Sequence, residues 1–220
     1  YTFHKFSGGF QVYSASIGEG QDLILDFTGV TDNQASSISF QIYSQAEGST
    51  ITIKGAPGKS YPIDFTVQNI HEGPSVNIVL DNFSTGENSS LTLNTTGTST
   101  ITYSGSCELG TIWLYSTTSE RNLTIQEQDA SSHLKLKKVS TTGNENQRHL
   151  ILAEGTYEIG EGLAAPSITI EDADITFTKK DDSSIFNERR YIKATEECQI
   201  TNSTLRNVGS ISPGSTYTAG

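Results

Sequence analysis

Apolar and polar residues alternate along most of the chain. Leu23, Leu25 and Phe27 in DLILDF, Ile38, Phe40 and Ile42 in SISFQIY, Ile51 and Ile53 in TITIK, and Ile63, Phe65 and Val67 in PIDFTV recur at every second position. The pattern continues through Val76, Ile78 and Leu80, Leu91 and Leu93, Ile101 and Tyr103, Ile112 and Leu114, and Leu123 and Ile125. It closes with Leu134 and Leu136, Leu150 and Leu152, Ile168 and Ile170, and Ile175 and Phe177. A period of two sends successive side chains to opposite faces of an extended strand, so each run predicts a short strand with one inward face. Gly, Asn, Asp and Ser punctuate the runs, as turn-forming residues do. Apolar residues at i, i+3, i+4 and i+7 nowhere extend over helical length, and the stretch 187–197 has room for one turn only. The pattern predicts an all-β chain.

Many short strands with frequent turns fit either a β-sandwich or a parallel β-solenoid. One aliphatic per candidate coil, Ile53, Ile78, Ile101, Ile125, Leu150, Ile170 and Ile200, recurs at intervals of 20 to 30 residues, the length of a β-helix coil. In LDNF (80–83), IEDADI (170–175) and ITNSTL (200–205) an acidic or amide residue follows the inward aliphatic, and such residues tolerate the left-handed conformation that bends one strand into the next. The Asn-Gly and Asp-Gly turns of hairpins are absent from the chain. The reading is therefore a single-domain, right-handed parallel β-helix, with the β-sandwich as the alternative. Residues 1–21, rich in aromatics, are assigned to capping strands, 22–207 to coils, and 208–220, where alternation stops, to a tail.

Composition narrows the partners. A formal net charge of -11 disfavours a phosphate-tracking surface, so nucleic acid is not expected. No run approaches the length of apolar residues that a membrane-spanning helix needs. Cys107 and Cys198 lie far apart and lack CxxC spacing, and they read as small core residues, too many coils apart for a disulfide.

The segments SVNIVLDNFSTGENSSLTLNTTGTSTITYSGS (75–106), NLTIQEQDASSHLKLKK (122–138) and HLILAEGTYEIGEG (149–162) resemble carbohydrate-binding or adhesin-like β-helix regions in surface proteins of gut-type bacteria. SITIEDADITF and CQITNSTLRN are similar to coils of the pectin-lyase-like superfamily. The resemblance implies an exported protein, secreted or held at a bacterial cell surface, whose partner is a polysaccharide or surface glycan. No catalytic residue is carried over.

Candidate chemistry is sparse. Glu171, Asp172 and Asp174, with Asp181 and Asp182, hold enough carboxylate for calcium, but neighbours in a strand point to opposite faces and the reading is solvated turn carboxylates. Arg189, Arg190 and Lys193 beside Glu188 read as a loop that neutralises nearby acids. His4, His71, His133 and His149 show no metal-ligand spacing, so neither a metal nor another cofactor is expected. The informative strand is GTIWLYS. With Ile112 and Leu114 inward, Trp113 and Tyr115 face out ~7 Å apart, the spacing of a stacking platform for sugar rings. Tyr43, outward in SISFQIYS, is a further candidate. These readings point to a non-catalytic glycan-binding or adhesion protein, with a polysaccharide lyase or hydrolase and a structural spacer as alternatives.

Overall fold

A computed structural model describes residues 1–18, 21–44, 48–69, 76–95, 97–116, 121–143, 148–178, 190–212 and 215–218. Among these residues there is no helix. The first strands are β1 (Lys5–Ile17), β2 (Leu23–Asp26), β3 (Asp32–Ser44), β4 (Ser49–Lys54), β5 (Ile63–Asn69) and β6 (Val76–Asp81). They are followed by β7 (Ser90–Asn94), β8 (Gly97–Ser104), β9 (Ser106–Ser116), β10 (Arg121–Glu127), β11 (His133–Gly143) and β12 (Arg148–Leu152). The last are β13 (Gly155–Glu171), β14 (Ala173–Phe177), β15 (Tyr191–Thr201), β16 (Thr204–Arg206), β17 (Ser210–Ile211) and β18 (Ser215–Thr218).

Every ladder is parallel, and each strand pairs with the one stacked a coil away, so the chain is a parallel β-solenoid. Three faces enclose the core. On the first face, Leu23, Ile51, Ile78, Ile101, Ile125, Leu152, Ile170 and Ile200 form one inward column. Ile53 and Leu150, taken from sequence as members of this column, sit one inward position away, because the loops between coils differ in length. Only 18 residues separate Leu152 from Ile170, whereas 30 separate Ile170 from Ile200.

The second face begins with the buried rings of Phe27, Tyr61 and Phe83, the last two stacked at 5.6 Å. It continues through Cys107, Leu134, Tyr157 and Ile175. The third face carries Tyr13, Phe40, Phe65, Leu91, Ile112, Val139, Leu163 and Ile192 in register. Buried tyrosine hydroxyls find carbonyl acceptors, as desolvated donors must: Tyr157 donates to Ile125 O at 2.8 Å and Tyr61 to Phe27 O at 3.0 Å.

The corner between the first and second faces is made by one residue in the left-handed region. Asn82 (φ 47), Asp172 (φ 53) and Asn202 (φ 51) occupy it, as the amide and acidic residues of LDNF, IEDADI and ITNSTL predict, and Gly105 (φ 67) does so in another coil. Both ends of the chain join the ladders. Thr2 bridges to Asp26, and β1 is one long parallel strand stacked on β3. Beyond residue 208, where the alternation fails, β17 and β18 still pair with β15. Among the described residues no helix is long and apolar enough to cross a membrane.

Candidate functional site: the outer side of the third face

Alternation along β9 buries Ile112 and Leu114 and turns Trp113 and Tyr115 outward, as the sequence predicts. Register places Trp113 between Thr92 of β7 and Ser140 of β11, two small hydroxyl side chains that leave the indole standing above its neighbours. Trp113 is half-buried, and Tyr115 is 42% exposed.

Lys138, one strand along, holds its ammonium 5.6 Å from the Trp113 ring centroid, within cation–π range. It also pairs with Glu161 at 3.6 Å, so a chain of charges fixes the lysine against the ring. Tyr43 lies on the same outer face, its hydroxyl donating to Gln41 Oε1 at 3.0 Å. It is not part of the Trp113–Tyr115 pair. The series Tyr43, Gln68, Asn94 leads to Tyr115, so Tyr43 stands three strands away, ~14 Å at ~4.8 Å per strand. A depression of about 190 Å³ lined by Ser140, Ala164, Pro166 and Lys193 adjoins Trp113 on the C-terminal side.

Sequence reasoning missed Lys138, because HLKLKK reads as an ordinary charged strand. Only the stacking register, which sets Lys138 opposite Thr111 and Val139 opposite Ile112, brings it to Trp113. It also missed a larger groove, about 540 Å³, between the second and third faces, lined by Glu87, Glu108, Lys135, Lys137, Glu158 and Glu161. There Glu108, Lys135 and Glu158 are in register on successive strands. Lys135 pairs with Glu108 at 3.1 Å, and that hydrogen bond raises the lysine's pKa above its ordinary value against the opposing effect of burial. Ser84 donates to the other oxygen of Glu108 at 3.1 Å.

The remaining polar candidates are spent on structure. Asp172 accepts from Asn202 and Asp174 pairs with Arg206, so both carboxylates tie one coil to the next. Asp181, Asp182, Glu188, Arg189 and His71 lie outside the described residues. Lys193 is outward on the third face, opposite Ala164. His149 shares a 2.7 Å hydrogen bond with Thr169 on the first face, and burial lowers its pKa. Among the described residues no three His, Cys, Asp or Glu side chains gather closely enough to hold a metal ion.

Comparisons of the chain with protein-family models, curated proteins and solved structures found no match. The functional reading therefore stands on the site's own geometry.

Proposed function

We propose that this is a non-catalytic glycan-binding protein of the secreted or cell-surface type, and that the outer side of the third face is its binding surface. The observation that carries the reading is the Trp113–Tyr115 pair, two rings on one strand with small hydroxyl residues on the strands beside Trp113. Sugar rings present apolar C–H faces that stack on aromatic side chains, while the serine and threonine hydroxyls around them supply hydrogen bonds. The cation–π contact with Lys138 fixes the indole before a ligand arrives, which lowers the entropy lost on binding.

Trp113 is the only tryptophan of the chain, so its emission reports this surface alone. A bound oligosaccharide is expected to shift or quench that emission. Trp113→Ala is expected to remove most of the affinity with little change in Tm, since the ring stands outside the core. A steep fall in Tm for this variant would make the ring a structural element and remove the platform.

A second reading, a polysaccharide-cleaving enzyme, draws on the groove in which Glu108 and Glu158 flank Lys135. Carboxylates straddling a scissile bond serve as acid and base in glycoside hydrolysis. Release of reducing ends from a polysaccharide panel, abolished by Glu158→Gln, would favour this reading over the binding protein.

A further inference from the structure

The third face carries one more outward aromatic residue that the stacking order brings into line. Tyr191, at the start of β15, is opposite Gly162 of β13, which is opposite Lys138 of β11, which is opposite Thr111 of β9. Tyr43 on β3, Trp113 on β9 and Tyr191 on β15 are therefore evenly placed. Each is three strands from the next, and each is shifted by one outward position along the strand. At ~4.8 Å between strands and ~7 Å between outward neighbours, they mark a straight oblique line with steps of ~16 Å.

Two further observations fit this line to a ligand. Tyr191 lies over a glycine: a Cβ at Gly162 would come within 2.6 Å of the tyrosine's carbonyl oxygen and 2.8 Å of its Cγ and Cδ2, so the absence of a side chain there lets both the backbone and the ring of Tyr191 lie close against β13. The outward positions of these columns from Ser39 to Lys193 include one carboxylate, Asp64, which is already engaged by Ser90 N at 2.7 Å and Ser90 Oγ at 3.0 Å. In a chain with 25 Asp and Glu these columns carry little negative charge of their own, and the carboxylate at their edge, Glu161, is paired with Lys138. The strands of this face from β3 to β15 are paired on both sides, so a peptide has no free edge to join and a ligand meets side chains alone.

We propose that this face is a track for one extended polysaccharide chain, lying obliquely across the strands, with Tyr43, Trp113 and Tyr191 as three stacking points. The proposal rests on the glycan reading above and adds the length and direction of the ligand. A chain long enough to reach two or three rings gains each contact without a further loss of translational freedom, so affinity rises with chain length until the line is spanned.

Native gel electrophoresis through laminarin, xylan, glucomannan or polygalacturonate, with disaccharides and trisaccharides of the same polymers as competitors, tests it. At least one polymer is expected to retard the protein, and its short oligomers to compete about tenfold more weakly or worse. Tyr43→Ala and Tyr191→Ala are each expected to lower the affinity about fivefold, the weight of one aromatic contact, while Tyr43→Phe and Tyr191→Phe bind as wild type. If Tyr191→Ala fails to fold, Tyr43→Ala at the opposite end decides alone. If no polymer retards the wild type, the glycan reading fails and the track with it. If Trp113→Ala abolishes retardation while both tyrosine variants bind as wild type, or a disaccharide binds as tightly as its polymer, the local platform stands and the track is overturned.

Discussion

At single residues the solenoid depends on conformations that most side chains resist. Gly58 (φ 74) and Gly105 (φ 67) share the left-handed region, where a Cβ costs roughly 1–2 kcal/mol. Their surroundings differ. Around Gly58 a Cβ would meet nothing within 4 Å, whereas at Gly105 it would lie 2.2 Å from Asn82 Oδ1. That amide is held in place by donating to Asp81 Oδ1 at 3.0 Å and accepting from Ser106 N at 3.3 Å. Gly58→Ala should therefore lose about 1 kcal/mol, and Gly105→Ala clearly more. In an Asn82→Gly background the excess at Gly105 should vanish. Urea midpoints of the wild type, the three single variants and the Asn82→Gly/Gly105→Ala double variant measure this, and equal losses at the two glycines would refute the stacked-corner account. Glu127 shows the opposite problem, a polar group poorly served by its site. Its Oε2 is shut off from solvent without a hydrogen-bond partner among the described residues, and burial first, then repulsion from Glu154, raise its pKa. A glutamate with a raised folded pKa disfavours the folded state when charged. That penalty is absent below the ordinary glutamate range and complete above the raised pKa. Glu127→Gln should thus raise Tm at neutral pH and leave it unchanged at acidic pH, a difference that scanning calorimetry at the two pH values can read.

At the scale of the strand, burial follows the pleat, and this is why so much of the element pattern was legible. Ile125 is fully buried in β10 between Ile101 of β8 and Leu152 of β12. Ile125→Asp would set an unpaired carboxylate inside a dry column and is expected to abolish folding, at a cost of several kcal/mol. A soluble protein with a cooperative melt would contradict the column. The same alternation placed Trp113, Tyr115 and Tyr43 outward without any structure. What it could not supply was which strands are neighbours. Lys138 reaches the indole from 25 positions along the chain, and Tyr191 joins the line only through Gly162 and Lys138. Strand pairing across coils is set by loop lengths that vary from coil to coil, so no local pattern announces it. The corner residues were legible for a different reason: Asn82, Asp172 and Asn202 have a local conformational role that residue type alone suggests.

At the scale of the whole molecule, each coil contacts chiefly the coils above and below it, and stability becomes a sum of neighbouring interfaces. The sequence showed this architecture through its repeated alternation, but the uneven coil lengths hid the register and made two of the chosen column residues fall one position away. The two cysteines test the consequence. Cys107 lies on the second face, stacked on Leu134, and Cys198 on the first, stacked on Ile168, one coil from β18. Both are buried, and neither is part of a disulfide. Cys107 donates to Ser104 O at 3.4 Å, and burial raises its pKa, so it meets reagents as an unreactive thiol unless the structure opens. In denaturant both cysteines should react with a thiol reagent, and exposure of the native protein to oxidant should leave its mass unchanged, because no disulfide can close across the intervening coils. Native labelling then separates two kinds of opening. An array held by nearest-neighbour interfaces frays from its ends, so Cys198 should label well before Cys107 as denaturant is raised through the pretransition range. Equal labelling at every denaturant concentration would mean that the solenoid opens as one cooperative unit, with interfaces strong enough that the last coils cannot leave alone.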